Sequence, residues 1–333
     1  SLEQIPHITE HTSGSTGSSL IFPQSVDNVR DLWAAFWRFW NRIGIEYGTR
    51  YADFGSRTIV PPNQRKPPFW RECQPLFQIK FSAFHGNDEN YMAYFKAIND
   101  YGLTWIHGYP SCIMPFASFV AQNGLTFDKP IKAVTASAEN LYGYQRSIIE
   151  KAFGVQPHAL YGLTEAVACI GEDADHDYIV DEDYSAVEFI ECGDYSRIVG
   201  SNLTNFAFPL LRYDTGDLAI TTDRLKNGRR VIERIDGRTG ELLSLPDGGK
   251  VGALSALFTE SATIKEAQIH QLEDYSVEIS FVPLSDNYTE DIAEAEKRFR
   301  DRTKGMLPVS FKRVDGIERT KRGKLRYVVS DIK

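Results

Sequence analysis

Three short apolar segments decide the fold of this chain: residues 103–108 (LTWIHG), 131–136 (IKAVTA) and 156–161 (QPHALY). Their length and composition predict buried β-strands. Helical patterns follow the first two segments, at about residues 111–123 and 141–153. Strands that alternate with helices in this way are typical of a mostly parallel α/β sheet.

A loop of unusual composition follows each of the three predicted strands. These loops are residues 108–111 (GYPS), 137–140 (SAEN) and 162–165 (GLTE). In open α/β sheets, ligands bind outside the carboxyl ends of the strands. We therefore expect a binding site that is built from these three loops.

The remaining sequence predicts a helix at 27–43, β-rich structure after about residue 185, and a separate α+β module at the end of the chain. The module's predicted elements are a hairpin (267–272 and 276–283), a charged helix (289–305) and a strand (309–314). The change in character near Asp236-Gly237 divides the chain into a large domain, 1–236, and a small domain, 237–333.

Composition and charge exclude several classes of protein. The chain has 333 residues, of which 42% are hydrophobic and 25% are charged, as in globular proteins. The net charge of −8 disfavours a nucleic-acid partner. No apolar run approaches the ~20 residues that a membrane-spanning helix needs. No signal peptide is visible, and we expect a cytoplasmic chain that is cut from something longer, since it lacks an initiating Met.

The stretch 12–19 (TSGSTGSS) alternates glycine with hydroxyl residues. Such a loop can turn its backbone N–H groups and hydroxyls towards phosphate oxygens. A flexible linker has the same composition, and the stretch alone does not separate the two. The chain contains no Walker loop, no GxG triplet and no GxSxG elbow, so the usual P-loop, dinucleotide and Ser-hydrolase signatures are absent from the sequence.

Four further motifs follow at intervals: YGLTE at 161–165, LRYDTGD at 211–217, IDGR at 235–238 and RTKRGKLR at 319–326. Each one alone reads as an ordinary turn or a solvated loop. In this order and spacing, together with residues 12–19, they resemble the adenylate-forming superfamily of acyl-CoA synthetases, peptide-synthetase adenylation domains and luciferases. The chain looks most similar to the phenylacetate–CoA ligase branch, which includes adenylating proteins of capsule-polysaccharide gene sets.

The resemblance implies an α/β fold with a large N-terminal domain, shortened here, and a small mobile C-terminal α+β domain. It also implies a role for each matched residue. Tyr161 would stack on adenine, and Gly162 would help to bind the nucleotide. Asp217 would contact the ribose hydroxyls, and Glu165 a magnesium ion. Thr164 would contact the α-phosphate, and Lys324 the carboxylate and α-phosphate. The remaining positions would bind ATP (Thr12, Ser13, Gly14, Ser15, Thr16, Gly17, Ala138, Glu139, Arg238) or line the substrate pocket (Tyr109, Pro110, Ser111).

The implied activity is ATP- and Mg²⁺-dependent ligation of a carboxylic acid, through an acyl-adenylate, to coenzyme A or another thiol or amine. A homodimer would also fit the resemblance. Two alternatives stay open: a catalytically degenerate nucleotide-binding protein of a polysaccharide pathway, and a phosphotransferase that would release ADP. Further pocket walls could come from Ile113, Phe116, Trp70 and Phe81, although core packing explains these side chains equally well.

Overall fold

The computed structural model of the chain describes residues 5–11, 20–55, 58–238, 242–252, 254–258, 261, 263–318 and 325–332. The helices are α1 (Val26–Arg42), α2 (Asp88–Asp100), α3 (Pro110–Gln122), α4 (Gly143–Phe153) and α5 (Thr289–Arg302). The strands are β1 (His7–His11), β2 (Ile21–Ser25), β3 (Tyr51–Phe54), β4 (Trp70–Cys73), β5 (Gln78–Phe81), β6 (Trp105–Gly108), β7 (Ala133–Ser137), β8 (Pro157–Gly162), β9 (Cys169–Glu172), β10 (Tyr178–Val180), β11 (Ser185–Cys192), β12 (Tyr195–Asn202), β13 (Tyr213–Lys226), β14 (Arg229–Arg238), β15 (Leu243–Ser244), β16 (Lys250–Val251), β17 (Ile264–Gln271), β18 (Val277–Pro283), β19 (Val309–Arg313) and β20 (Val328–Ser330).

The chain forms two compact units. The first contains residues 1–47 and 158–237, and the second contains residues 48–157 and 238–333. The predicted division into domains 1–236 and 237–333 stays a prediction. Among the described residues, no helix is both long enough and apolar enough to cross a bilayer.

The first unit is a β-sheet covered by one amphipathic helix. Its strands follow the order β11-β12-β13-β14-β10-β9-β8, and β8 pairs antiparallel with β9. Helix α1 begins where the Ser25 side chain accepts a hydrogen bond from Asn28 N–H. The helix lies so close to β9 that a Cβ on Gly171 would come within 2.5 Å of the Phe39 ring. Glycine at position 171 is therefore what lets α1 pack tightly on the sheet.

The second unit contains the predicted parallel sheet. Its strands follow the order β7-β6-β3-β5-β4, and the first four run parallel. Strands β6 and β7 match the predicted segments 103–108 and 131–136 to within two residues, and helices α3 and α4 match their predicted ranges equally closely. A core of fully buried apolar side chains lies beneath the helices, as the continuous apolar character of these strands requires.

The C-terminal part of the second unit contains the predicted α+β elements. Strands β17 and β18 form an antiparallel hairpin, and β20 and β19 add in parallel on its two sides. Helix α5 buries Ala295 and Phe299. Tyr327 packs on Tyr142, with ring centroids 4.3 Å apart, so this part shares its core with the parallel sheet.

Candidate active site

Two predicted nucleotide-binding residues meet in the first unit. The Tyr161 hydroxyl, at the end of β8, donates a 2.7 Å hydrogen bond to Asp217 Oδ2 on β13. Asp217 is 6% exposed, and its N–H donates to Thr215 Oγ1. Thr215 in turn donates to the carbonyl of Ile198 on β12. The carboxylate is therefore fixed from both its side chain and its backbone.

The predicted metal ligand, Glu165, lies in the turn that follows β8. The Tyr213 hydroxyl donates to its Oε1 at 3.3 Å, and the residue is 8% exposed. The buried amide of Asn202 donates to the Glu165 carbonyl at 3.3 Å. Thr164 is half-buried in the same turn. Ala166 follows in the left-handed region at φ 59°, a strained conformation that is common near functional sites.

Asn202 and Tyr213 are residues that the sequence argument missed. Tyr213 was visible in the LRYDTGD motif but received no role. Asn202 organises the turn, because it also donates to the Phe208 carbonyl and accepts from Leu210 N–H. No local sequence signal identifies such an asparagine, since its partners are distant in the chain.

The predicted substrate-pocket residues lie in the second unit, where β6 passes into α3. A Cβ on Gly108 would lie 2.4 Å from the Phe54 carbonyl, and Tyr109 N–H donates to that same carbonyl at 3.0 Å. Pro110 opens α3, where a fixed φ suits the first helical turn. The loop therefore lies directly against β3 and is hydrogen-bonded to it.

Glu139 lies at the N-terminus of α3. Its Oε2 accepts a 3.1 Å hydrogen bond from Ser111 N–H, so a carboxylate faces the positive end of the helix. Ala138, just before it, takes a left-handed conformation with φ 66°. The structure therefore brings together Ser111 and Glu139, which the sequence assigned to two different sites.

Other predicted pocket walls belong to the core. Ile113 and Phe116 are fully buried, and the Phe116 ring stacks on Phe54 with centroids 5.3 Å apart. The Phe81 ring also stacks on Phe54, with centroids 5.1 Å apart, and the Trp70 ring lies 5.7 Å from Phe81. Core packing accounts for these four aromatic and aliphatic side chains.

Several predicted residues lie outside the part of the chain that the structure describes. These are Thr12, Ser13, Gly14, Ser15, Thr16, Gly17 and Lys324, and the side chain of Arg238 is also not described. Gly162 is the exposed last residue of β8. The proposed roles of all these positions stay predictions.

Comparison with known proteins identifies the class of fold. The chain superposes on 2-hydroxyisobutyryl-CoA ligase, which was solved in the post-adenylation state with an acyl-AMP. The superposition covers 99% of this chain and 74% of the ligase, with a TM-score of 0.69 and 16% sequence identity. The fold is therefore that of the adenylate-forming ligases, as the motifs predicted.

Sequence comparison finds similarity to one domain family and to two proteins. The family model described as the CapK C-terminal domain matches residues 243–331. Protein CapK of Staphylococcus aureus is 28% identical, across 97% of this chain and 74% of CapK. Indoleacetate–lysine synthetase of Pseudomonas savastanoi is 34% identical over 130 residues, which are 38% of this chain and 32% of the synthetase. The similarity to Protein CapK therefore extends over nearly the whole chain, and the fold agrees with the predicted resemblance to adenylate-forming ligases.

Proposed function

We propose that the chain activates a carboxylic acid with ATP, releases pyrophosphate and transfers the acyl group from an acyl-adenylate to an acceptor thiol. The observation that carries the proposal is the hydrogen bond between Tyr161 and Asp217. It places an aromatic ring, at the end of β8, next to a fixed and nearly buried carboxylate. This pair offers both groups that an adenosine needs: a stacking surface and a ribose acceptor.

Nucleotide recognition is assigned to Tyr161 and Asp217, with further contacts from Gly162, Ala138 and Glu139. A carboxylate has about four acceptor positions, so the bond from Tyr161 is compatible with hydrogen bonds from both ribose hydroxyls. Arg238 is proposed to lie near the ribose. The glycine- and hydroxyl-rich residues 12–17 are proposed to hold the β- and γ-phosphates through backbone N–H groups.

In the first half-reaction, a carboxylate oxygen of the acid attacks the α-phosphorus of ATP, and the bond to the pyrophosphate breaks. Two anions must approach one another, so positive charge is needed where negative charge develops. Lys324 is proposed to donate to the acid carboxylate and the α-phosphate, and Thr164 to orient the α-phosphate. Loss of one such donor costs about 3–4 kcal/mol in other enzymes.

Glu165 fits a role as magnesium ligand. Its carboxylate oxygens are the hard ligands that Mg²⁺ prefers, and within the described part of the chain Tyr213 O–H holds one of them. A bound Mg²⁺ would offset phosphate charge. Tyr213 fixes the direction of the carboxylate, so we assign it a positioning role.

In the second half-reaction, the acceptor sulfur attacks the acyl carbon, loses its proton, and AMP leaves. Coenzyme A is the proposed acceptor, because 2-hydroxyisobutyryl-CoA ligase has also been solved with an acyl-AMP and coenzyme A together. An amine acceptor is the second candidate, favoured by the name of indoleacetate–lysine synthetase. The likeness to Protein CapK supports a place in capsule-polysaccharide synthesis.

Carboxylate-dependent exchange between ATP and labelled pyrophosphate tests the first half-reaction without any choice of acceptor. Pools of aryl, fatty, hydroxy and amino acids serve as substrates. We expect one pool to support exchange, Lys324→Ala to abolish it with nucleotide binding retained, and Asp217→Asn to weaken nucleotide binding. Asp214→Asn is the matched control, because Asp214 lies in the same motif but is exposed and pairs with Arg197.

The outcomes separate the candidates. Exchange in wild type that persists in Lys324→Ala overturns the lysine assignment. ATP binding without exchange from any pool favours the degenerate nucleotide-binding protein. Release of ADP in place of AMP would establish a phosphotransferase.

A further inference from the structure

We propose that His158, Glu172 and His176 form a binding site for a divalent transition metal ion such as zinc. His158 lies at the start of β8, Glu172 ends β9, and His176 lies in the turn that leads to β10. One ligand atom from each residue lies within 4.8 Å of the other two. Among the residues that the structure describes, no other group of three histidine, cysteine or acidic side chains is arranged in this way.

The carboxylate of Glu172 is held at the centre of the cluster. It is 2% exposed, and its Oε2 accepts from Ala159 N–H at 3.0 Å. His176 Nδ1 lies 3.2 Å from the same oxygen. A backbone donor thus orients the carboxylate, as outer hydrogen bonds orient the ligands of metal sites.

The two imidazole rings are stacked. Their centroids lie 4.3 Å apart, and their planes differ by 5°. Because the ring planes are parallel, their nitrogen lone pairs converge on one ion only after one ring turns about its Cβ–Cγ bond. The two nitrogens and the carboxylate oxygen already lie within 4.8 Å of one another. Imidazole nitrogens with a carboxylate oxygen are ligands that zinc accepts, whereas magnesium and calcium prefer oxygen ligands alone.

The turn that carries His176 holds this residue in an unusual backbone conformation. His176 has φ 64°, a left-handed conformation that is unfavourable for a residue with a side chain. The turn is closed by hydrogen bonds from Asp173 N–H to the Asp177 carbonyl and from His176 N–H to the Asp173 carbonyl. Backbone strain is therefore present at His176, the residue that completes the cluster.

Lys226 holds the acidic side chains of the same turn. Its Nζ lies 2.6 Å from both Asp173 and Asp175, and 3.1 Å from Asp177. Because these carboxylates are engaged with lysine, the metal ligands are the two histidines and Glu172, with solvent completing the coordination.

The site is separate from the proposed nucleotide site. His158 precedes Tyr161 by three residues along β8, a distance of about 10 Å in an extended strand. A metal ion at this end would tie β8, β9 and the turn after β9 together. We therefore assign it a structural role, and this assignment does not depend on the proposed activity.

Isothermal titration of the nucleotide-free, chelator-treated chain with Zn²⁺ tests the site. We expect saturable binding of one ion per chain and a rise in Tm on binding. His176→Asn removes the ligand and keeps a residue that tolerates positive φ, and His158→Gln removes the second ligand. Each change is expected to weaken binding at least tenfold.

His270→Asn is the matched control. His270 Nε2 lies 2.9 Å from Asp331, so it is also a histidine–carboxylate pair, but among the described residues it belongs to no group of three possible metal ligands. Binding should be unchanged in this variant. A Co²⁺ titration adds a second readout, because the absence of a thiolate charge-transfer band shows that no cysteine is a ligand.

Absence of saturable Zn²⁺ binding in the wild-type chain would overturn the proposal. Unchanged stoichiometric binding in both His158→Gln and His176→Asn would do the same. Circular dichroism shows whether each variant is folded. If a variant is unfolded, the stoichiometry and the Co²⁺ spectrum of the wild-type chain still decide between histidine–carboxylate and cysteine ligation.

Discussion

The Tyr161 hydroxyl donates to Asp217 Oδ2 over 2.7 Å and joins two residues that lie 56 positions apart in the chain. The acceptor is charged and nearly buried, and such hydrogen bonds contribute about 1.5–3 kcal/mol. The tyrosine therefore has two functions in the proposed site. Its ring offers a stacking surface, and its hydroxyl fixes the carboxylate that would hold the ribose.

Replacing Tyr161 by Phe separates these two functions. The ring stays and the hydrogen bond to Asp217 is lost, so we expect the KM for ATP in pyrophosphate exchange to rise by about tenfold or more. Tyr47→Phe is the control, because Tyr47 is 75% exposed. An unchanged KM in the Tyr161 variant would show that the hydroxyl does not position the carboxylate for nucleotide.

Gly108 is required by the contact between β6 and β3. Its φ of 153° and the 2.4 Å approach of a Cβ to the Phe54 carbonyl make Gly108→Ala destabilising by about 2 kcal/mol or more. Chemical denaturation measures the change. Gly316→Ala, where a Cβ would meet open space, should leave stability nearly unchanged. Equal stabilities for the two variants would contradict the close approach.

Asp181 is a fully buried carboxylate surrounded by guanidinium groups. Arg42 contacts both of its oxygens at 2.7 Å, and Arg229 contacts Oδ1 at 2.5 Å. Asp181→Asn removes the buried charge that accepts from these partly exposed guanidinium groups and should cost about 1.5–3 kcal/mol. The control is Glu296→Gln, which breaks an exposed pair with Arg300 and should cost about 0.5 kcal/mol or less. A small loss in the Asp181 variant, measured by denaturation, would argue against this buried network.

The pH dependence of stability should report on His107. Burial lowers the pKa of His107 below its ordinary value of 6.5, and the nearby Asp53 carboxylate only partly opposes this. The unfolded chain therefore binds this proton more readily than the folded chain. The stability contributed by the neutral ring is complete above pH 6.5 and falls as the pH decreases below it.

Denaturation of wild type and His107→Asn between about pH 7.5 and about pH 5 measures this contribution. The variant should show a flatter decline towards low pH. His7→Asn is the matched control for the substitution, because His7 is exposed. Parallel profiles for wild type and the His107 variant would exclude His107 as the source.

Local patterns in the sequence predicted the regular elements well. Helix α1 begins and ends within one residue of the predicted 27–43, because a capping serine and an apolar stripe are both local signals. The hairpin of β17 and β18 lies within three residues of its predicted ranges, because strand and turn signals are also local. The short strands β3, β4 and β5 were missed, since four-residue strands carry too little periodicity to stand out.

The residues of the candidate site could likewise be predicted only where the sequence signal is local. The residue types at Glu165 and Asp217 could be identified because family motifs are contiguous in the chain. The Glu139 contact with α3, the Asn202 bridge and the His158–Glu172–His176 cluster could not, because each depends on how distant strands and loops are placed.

The sequence by itself determined the class of fold, the boundaries of the main helices and the motifs that resemble an ATP-dependent ligase. These are encoded by spacing, capping and turn residues within short windows. Only the tertiary structure decided which side chains meet. In paired strands, a register shift of one residue turns every side chain to the opposite face. Strands β14, β10 and β9 lie between β13 and β8 in the sheet, so the meeting of Tyr161 and Asp217 depends on how several distant strands are placed.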